Sequence, residues 1–401
     1  MEKLLNEKKI LLGITGGIAA YKAILLTRLF IKSGAEVRVV LTPSATNFVS
    51  PLVLATLSKH KVLSALADND EWSNHVELGR WADLFIIAPL TCNTLAKLAT
   101  GICDNLLLAT YFSATCKVLV APAMDADMWQ HPAVKRNLEI IRQDGVGIIP
   151  VADGELASGL VGEGRMAEPA SILVHAIEEY FRSNDLTGKS ILVNAGPTIE
   201  HIDPVRFISN HSSGKMGIAI AEECYLRGAS VTLITGPIEQ NLEYKGIRCL
   251  KVISASEMYE QVISLFPMAD VAILSAAIAD YTPVQIEQEK IKKHQSEWTL
   301  ELVKTKDILA QIGHSKKSKQ KVIGFALETE NEIFNAKKKL NAKCLDAIVL
   351  NTTRDINATF GFDTNKITII DKAENIHTYD LKSKKAVAKD IVDFLISMYN
   401  D

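Results

Sequence analysis

The chain has 401 residues, 48% of them hydrophobic and 23% charged, which is too long for one ordinary domain and too apolar for a disordered protein. Its 44 Lys and Arg against 47 Asp and Glu leave a net charge of -3, so no global charge favours binding to nucleic acid or to a membrane surface. Six widely spaced cysteines without a CxxC pair exclude a dense disulfide framework and the usual zinc patterns, and they predict reduced thiols in the cytoplasm.

The first apolar stretch, residues 10–20, follows several lysines and superficially resembles a secretory signal. Its glycines, Gly13, Gly16 and Gly17, instead predict a buried strand that turns into a helix, and Lys22 then interrupts the apolar run. No segment reaches the roughly 18 uninterrupted apolar residues of a membrane span, so the sequence predicts none.

The two halves of the chain repeat one pattern: a buried strand entering a glycine turn, a helix that ends at a glycine before a second strand, and a third apolar strand. These segments are residues 8–17, 32–45 and 81–89 in the first half, and residues 189–198, 226–237 and 268–276 in the second. Strands and helices alternating at this spacing predict an α/β protein of two doubly wound, Rossmann-like domains with mainly parallel sheets. A polar stretch at 182–188 predicts the boundary, giving domains at 1–184 and 185–401.

A glycine turn in the first half, with Gly16 and Gly17, lies between a strand and a helix, where backbone N–H groups favour an anion. The hydroxyls of Thr15, Thr42 and Ser44 are expected at neighbouring strand ends, where α/β sheets bind ligands. The spacing is not GxGxxG, so the turn alone is compatible with either phosphate binding or a purely structural role.

Four further segments of the first half carry polar or sulfur-containing side chains at expected strand ends and helix starts. They are NHVELGRWAD with His75, PLTCNTLAKL with Thr91 and Asn93, PAMDADMW with Met124 and Asp125, and GELASGLVGEGRM with Ser158. Together with GITGGIAAYK at residues 13–22, these segments resemble the FMN-dependent cysteine decarboxylases.

That resemblance implies a flavodoxin-like first domain with FMN as cofactor. The residues that it implies for FMN are Thr15, Gly16, Gly17, Thr42, Ser44 and Thr91. It implies His75 in catalysis and Asn93 and Met124 in holding the substrate carboxylate, with Asp125 in the same segment. A flavin suits this chemistry because oxidising the thiol creates the electron sink that loss of CO2 from a cysteine amide otherwise lacks.

Two residues depart from the pattern of that family. Asp125 replaces the usual asparagine and brings a negative charge near an anionic substrate unless it is paired or turned away. Ser158 replaces the cysteine that donates a proton in the last, reductive step, and a hydroxyl is a far weaker acid than a thiol. The flavin half could therefore complete the reaction or stop at the oxidised enethiol.

The second half contains a longer and more specific motif, NAGPTIEHIDPVRFISNHSSGKMGIAIAEE, at residues 194–223. It predicts a strand-end turn, a loop with Asp203 and Arg206, and a helix that begins near Asn210. This arrangement suits a phosphate or carboxylate, and it also suits a tight loop at a subunit interface. Residues 285–298 are polar, lysine-bearing and weakly periodic, which predicts a mobile loop or β-arm over a site.

With AAIADYTP (276–283), EKIKK (289–293), KTKDIL (304–309), IGFALETEN (323–331), AKKKLNAK (336–343) and LDAIVLNT (345–352), this motif resembles the CTP-dependent bacterial phosphopantothenate–cysteine ligases. The resemblance implies a CTP site at Asp280, Lys290, Phe325, Lys339 and Lys343. It implies that Asn210 stabilises an acyl-cytidylate, that Lys290 acts in catalysis, and that Mg²⁺ is held largely by the CTP phosphates.

Nearly the whole chain thus resembles the bifunctional decarboxylase/ligase family of coenzyme A synthesis. The implied substrates are 4′-phosphopantothenate, cysteine and CTP, and the implied product after decarboxylation is 4′-phosphopantetheine. The resemblance also implies a cytoplasmic homo-oligomer in which trimers of the flavin half, with FMN between subunits, join through ligase dimers into a dodecamer.

Two other readings remain open from the residues alone. Doubly wound domains often serve nicotinamide-dependent oxidoreductases, but neither glycine turn has GxGxxG spacing with an acidic residue about 20 positions later. The second alternative is a non-catalytic interaction protein, because some relatives of the flavin half are regulatory subunits. Bound yellow flavin would exclude the nicotinamide-dependent oxidoreductase. CTP-dependent release of pyrophosphate would exclude the interaction protein.

Overall fold

The chain folds into two units, Met1–Phe181 and Arg182–Asp401, in a computed structural model that describes residues 4–68, 71–292, 298–352, 354, 358 and 361–400. The boundary predicted after residue 184 lies in the polar stretch that opens the second unit. Each unit carries its own central sheet, covered by helices.

The first unit alternates strands and helices from β1 onward. Its elements are β1 (Lys9–Ile14), α1 (Tyr21–Lys32), β2 (Glu36–Leu41), α2 (Pro51–Ser58), β3 (Ala67–Asp68), β4 (Glu71–Trp72), α3 (His75–Trp81), β5 (Leu84–Leu90), α4 (Cys92–Thr100), α5 (Leu106–Ser113), β6 (Lys117–Pro122), α6 (Ala126–Gln130), α7 (Pro132–Gln143), β7 (Gly147–Ile148), β8 (Ala152–Glu155), β9 (Val161–Arg165) and α8 (Pro169–Ala176).

The main sheet of the first unit is fully parallel, in the order β2-β1-β5-β6-β7. Every residue of β5 is buried, as expected for a central parallel strand covered on both faces. The chain builds outward from β1 to β2 on one side and then from β5 onward on the other, so the direction of winding reverses between β1 and β5. This flavodoxin-like order places a crevice beyond the carboxyl ends of those two strands.

The second unit has the larger sheet. Its elements are β10 (Ser190–Ala195), β11 (Ile199–His201), β12 (Phe207–Ser209), α9 (Lys215–Leu226), β13 (Ser230–Thr235), β14 (Arg248–Lys251), α10 (Ala255–Leu265), β15 (Val271–Leu274), β16 (Tyr281–Pro283), β17 (Leu302–Lys304), α11 (Ile308–Ser315), β18 (Lys321–Glu328), α12 (Glu332–Ala342), β19 (Ala347–Thr352), β20 (Thr364–Asn365), β21 (Thr368–Asp371), β22 (Ile376–Thr378), β23 (Lys382–Ser383) and α13 (Lys384–Asn400).

The sheet of the second unit has the order β14-β13-β10-β15-β18-β19-β21-β22, parallel from β14 to β19 and antiparallel at the last two strands. Its direction of winding reverses between β10 and β15. The two halves also end their first long helices alike, since Gly34 and Gly228 both have positive φ after α1 and α9. The prediction of two doubly wound, mainly parallel α/β units is therefore confirmed.

Five two-stranded antiparallel sheets stand outside these main sheets in the described ranges, and three of them enter the description of the sites below. These three are the β8–β9 hairpin of the first unit and the β11–β12 and β16–β17 pairs of the second. Among the helices of the described ranges, none combines the length and the apolar character that crossing a bilayer requires.

Candidate functional site

The crevice between β1 and β5 opens into a cavity of about 960 Å³. That size is at the upper end of the range of about 300–1,000 Å³ that is typical of small-molecule sites. Nine residues predicted as site residues line it: Gly16, Gly17, Thr42, Ser44, Thr91, Asn93, Met124, Asp125 and Ser158. The structure therefore brings together residues that lie in five separate loops of the sequence.

The glycine turn after β1 approaches the loop after β2 very closely. A Cβ on Gly16 would lie 2.5 Å from Ser44 Oγ and 2.8 Å from the Ser44 carbonyl carbon, so a side chain there would displace that loop. The hydroxyls of Thr42 and Ser44 are 3.4 Å apart on the cavity wall. Backbone and hydroxyl groups thus form this end of the cavity, next to the start of α1.

Thr15 does not line the cavity but joins the two strand ends beneath it. Its buried hydroxyl donates to the carbonyl oxygen of Pro89 at 2.7 Å and accepts from the backbone N–H of Thr91 at 3.1 Å. Because those bonds connect the end of β1 to the end of β5, Thr15 holds the crevice in shape.

His75 is also absent from the cavity lining. It begins α3, whose first turn is capped by the Asn74 side chain accepting from the Glu77 N–H at 3.0 Å. The edge of its ring packs against Trp72 with centroids 5.5 Å apart. Its Nδ1 is buried and has no hydrogen-bond partner among the described residues, which is unusual for a buried polar atom.

Ser158 lies in the turn between β8 and β9, on the rim of the cavity. The hairpin is attached to the Met124 segment, because the Met124 N–H donates to the Gly164 carbonyl at 3.0 Å. Gly164 has positive φ, and a Cβ there would lie 2.5 Å from the Met124 carbonyl oxygen. This close approach places the Ser158 turn and Asp125 on the same cavity, with Asp125 Oδ1 accepting from the Ala126 N–H at 2.8 Å.

Two lysines of the cavity wall were missed by the sequence analysis. Lys22 is buried, and its Nζ donates to the Met166 carbonyl at 3.0 Å and pairs with Glu168 at 2.9 Å. The hydrogen bond from Lys22 outweighs burial and holds the pKa of Glu168 below its usual range. Lys97 is paired with Asp104 at 2.5 Å. The usable signal for Lys22 is its place in the helix that leaves the glycine turn.

In the second unit the loops after β10 and β15 are joined at the reversal of winding. The buried Asn194 accepts from the Ala276 N–H at 2.9 Å. Asn210 donates its side-chain amide to the carbonyls of Ala277 at 3.2 Å and Ile278 at 3.0 Å. Because a carbonyl oxygen can only accept, the Asn210 atom facing them is Nδ2, which leaves Oδ1 as an acceptor for a ligand.

Lys339 lies in the last turn of α12 and Lys343 is the residue that caps this helix, four positions later, so the two lysines lie near one face. Lys339 pairs with Glu328 at 2.7 Å and Lys343 pairs with Asp307 at 2.8 Å. Burial raises the pKa of Asp307, but the hydrogen bond from Lys343 and that from the Ala310 N–H lower it more, so its pKa lies below the usual range. Asp307 was not among the predicted site residues, yet it forms an ion pair with Lys343, one of the lysines predicted to bind CTP.

Asp280 immediately precedes β16, and Lys290 lies in the connection between β16 and β17. Asp280 is exposed and its carbonyl accepts from the Thr305 N–H at 3.0 Å. Lys290 is exposed, and the described part of the chain gives it no ion pair. Phe325 is half-buried on β18, opposite Val349 of β19. The predicted arm, residues 285–298, is the connection between β16 and β17, and its described residues, 285–292 and 298, contain no strand, while residues 293–297 lie outside the described residues.

Comparison with known proteins assigns each unit to a family. Residues 186–399 match the family described as DNA/pantothenate metabolism flavoprotein C-terminal domain, and residues 1–181 match the family described as Flavoprotein. The chain is 43% identical over 401 residues to the coenzyme A biosynthesis bifunctional protein CoaBC of Bacillus subtilis (strain 168), covering 98% of each. The chain belongs to the CoaBC family.

CoaBC proteins combine the two activities that the halves of the chain suggest. The protein is accordingly a bifunctional enzyme with ligase and decarboxylase activities in coenzyme A biosynthesis. A further relative, from an unknown prokaryotic organism, is named cysteine/cysteine sulfinic acid decarboxylase; it is 49% identical over 356 residues, which cover 87% of this chain and 99% of the relative. A solved C-terminal domain of CoaBC is 41% identical and covers 55% of this chain and 100% of its own, with a TM-score of 0.47.

Proposed function

We propose that the second unit of this CoaBC protein joins 4′-phosphopantothenate to cysteine with CTP, through an acyl-cytidylate. The first unit then decarboxylates 4′-phosphopantothenoylcysteine to 4′-phosphopantetheine with FMN. The observation that carries the decarboxylase half is the cavity of about 960 Å³, which gathers glycine, hydroxyl and amide groups from five loops around one crevice. The ligase half is supported by the Asn210 amide at the reversal of winding and by the paired lysines Lys339 and Lys343. The predicted domains, 1–184 and 185–401, would carry the decarboxylase and the ligase.

The residues of that cavity fit a flavin phosphate and its ring system. The Gly16–Gly17 turn and the hydroxyls of Thr42, Ser44 and Thr91 form a polar end beside the start of α1, where the helix dipole favours an anion. When bound, FMN would accept a hydride from the thiol-bearing carbon. Loss of that hydride makes the carbon an electron sink, and the hydride would later be returned. The nicotinamide reading gains no support from these residues, since the turn lacks GxGxxG spacing.

The substrate carboxylate would lie at the start of α4. Asn93 is in the first turn of this helix and lines the cavity, so its amide and the helix N-terminus both favour an anion there. Asp125 accepts from a backbone N–H, which offsets part of its charge beside that carboxylate. His75 would move the proton between substrate and solvent, once it is brought to the cavity.

In the ligase, a substrate carboxylate oxygen attacks the α-phosphorus of CTP and pyrophosphate leaves. The cysteine amine then attacks the activated carbonyl, and CMP leaves. We propose that Lys339 and Lys343 exchange their carboxylate partners for phosphate oxygens when CTP binds, with Mg²⁺ held largely by the CTP phosphates. Within the described ranges no group of three or more His, Cys, Asp or Glu side chains could hold a metal ion.

One experiment tests the complete proposal. Purified protein is incubated with FMN, Mg²⁺, CTP, cysteine and 4′-phosphopantothenate, and every species is followed by mass spectrometry. We expect 4′-phosphopantetheine together with CMP and pyrophosphate. Absence of pyrophosphate would overturn the ligase proposal, and accumulation of unreacted phosphopantothenoylcysteine would overturn the decarboxylase proposal.

Replacing Ser158 by cysteine is expected to accelerate the last, reductive step about 10²-fold, because a thiol donates a proton far more readily than a hydroxyl. In the wild-type time course, the enethiol that is two hydrogens lighter than the product should therefore build up before it is consumed. The measurement is the rate of enethiol consumption after decarboxylation in wild type and Ser158→Cys.

The control for this prediction is Cys92→Ala, because Cys92 contributes the thiol found among the described lining residues. An unchanged effect of Ser158→Cys in the Cys92→Ala background assigns the acceleration to residue 158. Equal consumption rates for Ser158 and its cysteine replacement would contradict the prediction and leave the proton donor elsewhere.

A second candidate for the first unit is decarboxylation of free cysteine or cysteine sulfinic acid. The relative named for that activity supports it at 49% identity. A comparison of kcat/KM for cysteine, cysteine sulfinic acid and 4′-phosphopantothenoylcysteine decides between the two. We expect the last to be preferred, because the same chain carries a ligase half that makes it.

We further propose that the protein assembles as a cytoplasmic homo-oligomer, with trimers of the first unit and dimers of the second giving a dodecamer. The six free cysteines support a reducing compartment. His75 supports the trimer, because it lies outside the cavity of its own chain and its surroundings include the exposed Trp72 and Val76. A neighbouring copy that covers this apolar surface would place its own cavity next to His75.

A further inference from the structure

The segment that contains Lys290 is hydrogen-bonded to a loop nearly ninety residues earlier in the chain, residues 202–206. This loop contacts the segment 287–291 at both ends. The Glu287 N–H donates to the Ile202 carbonyl at 2.9 Å, and the Ile291 N–H donates to Asp203 Oδ2 at 3.2 Å. Lys290 lies between these two attachment points.

Asp203 is the centre of this arrangement. Its carboxylate is fully buried, and Oδ1 accepts from the N–H groups of Val205 at 2.7 Å and Arg206 at 2.8 Å. Oδ2 accepts from Arg206 Nη1 at 2.8 Å as well as from Ile291. One oxygen therefore shapes the loop, and the other attaches the loop to the Lys290 segment.

Arg206 completes the attachment from the other side. Its Nη1 and Nη2 donate to the Ile291 carbonyl at 3.3 and 3.2 Å while Nη1 also contacts Asp203. Both backbone polar groups of Ile291 are thus held by an Asp–Arg pair. Burial raises the pKa of Asp203, but the hydrogen bonds from Val205, Arg206 and Ile291 lower it more, so its pKa lies below the usual range and the carboxylate stays charged at neutral pH.

We propose that Asp203, with Arg206, is the positioning residue that fixes Lys290 in the ligase site by binding Ile291. This inference rests on the proposed role of Lys290 at the CTP phosphates. Because Lys290 is itself exposed and unpaired within the described chain, its own side chain does not hold the segment in place. The segment is held instead by the hydrogen bonds that Asp203 and Arg206 make to Ile291, which we call the latch.

The substitution Asp203→Asn separates the two functions of the carboxylate. Asn Oδ1 can still accept from Val205 and Arg206, so the loop keeps its shape, while Nδ2 would face the Ile291 N–H and the Arg206 guanidinium and cannot accept from either. Turning the amide over would set its NH2 against two backbone N–H groups, which is worse. The matched control is Asp185→Asn, which removes a carboxylate paired with Arg227 elsewhere in the unit.

The first test is limited trypsin digestion of the full-length protein, with cleavage after Lys290 followed by mass spectrometry. Cleavage tracks the population in which the segment is detached, so Asp203→Asn should raise its initial rate about tenfold or more, and Asp185→Asn should leave it unchanged. Arg206→Lys should raise it to a smaller extent, because a lysine keeps the charge but not the two-pronged contact. An unchanged cleavage rate in Asp203→Asn overturns the latch.

The second test links the latch to catalysis through a double-mutant cycle. CTP-dependent pyrophosphate release is measured for wild type, Asp203→Asn, Lys290→Ala and the double variant. A residue acting through Lys290 should slow release about tenfold in the wild-type background and change it less than about twofold in the Lys290→Ala background. Equal losses in both backgrounds would mean a general structural role and would overturn the assignment.

The two tests also separate failure of this inference from failure of the proposed function. If Lys290→Ala leaves pyrophosphate release unchanged, the proposed role of Lys290 is wrong, and with it the claim that the latch serves catalysis. The trypsin result would still decide whether Asp203 holds the segment. If Lys290→Ala abolishes release but Asp203→Asn does not alter cleavage, the proposed function stands and the latch is wrong.

Discussion

Replacing Lys290 by alanine is expected to slow CTP-dependent pyrophosphate release by about 10²- to 10³-fold, the usual effect of removing one preorganised group that stabilises transition-state charge. The lysine is exposed and without an ion pair in the described chain, so its removal leaves no buried group unsatisfied. The melting temperature should therefore change little, and decarboxylation of supplied 4′-phosphopantothenoylcysteine should be unaffected. A pre-steady-state assay of pyrophosphate and acyl-cytidylate measures the activation step directly.

The matched control is Lys292→Ala, which removes a second exposed lysine two positions away. It should retain activation within about threefold, because long-range charge effects at the surface are weak in physiological salt. Equal losses in both variants would indicate a general electrostatic contribution rather than a specific contact. A parallel loss of folding and activation in Lys290→Ala would contradict the catalytic role.

The location of most flavin-side residues could be predicted from the sequence for a simple geometric reason. Parallel strands have their carboxyl ends at one edge of the sheet, so the loops after β1, β5 and β6 must converge once those strands are recognised. Gly16, Thr91 and Met124 follow these three strands, and all three line the cavity. Local pattern and sheet direction were sufficient here.

The burial of Lys22 and the contacts of the latch could not be predicted in that way. Lys22 has the local appearance of an exposed helical lysine, and its burial depends on Met166 and Glu168, which are more than 140 residues away in sequence. Asp203 contacts Ile291 across 88 positions. No local periodicity encodes such contacts, because they arise only when loops from separate strand ends meet.

The Lys290 segment shows a related limit of composition-based reasoning. Its polar, lysine-bearing sequence predicts a mobile loop or a β-arm, whereas the described residues 285–292 and 298 form no strand and connect β16 to β17, with Ile291 bound by Asp203 and Arg206. Polar composition records the lack of an apolar core contact. Polar composition does not indicate whether backbone N–H groups of the segment donate to a buried carboxylate, and such hydrogen bonds also stabilise a segment.

The position of His75 outside the cavity of its own chain predicts complementation between two inactive variants. His75→Asn and Asn93→Ala should each lower decarboxylation by about 10²-fold or more, because one removes the proton-transfer group and the other a carboxylate contact. In the single chain Asn93 lines the cavity and His75 does not. If one site takes Asn93 from one copy and His75 from another, co-expressing the two variants creates intact sites.

The expected recovery is about a quarter of wild-type activity for equal, random mixing, since each site then needs an intact Asn93 from one copy and an intact His75 from its neighbour. Co-expression of His75→Asn with His75→Ala is the control and should restore nothing. If both residues acted within one chain, no mixed oligomer would contain a complete site, and the Asn93 and His75 variants would stay inactive together. Recovery would also account for the Nδ1 of His75, which is buried without a hydrogen-bond partner among the described residues and which a neighbouring copy could then satisfy.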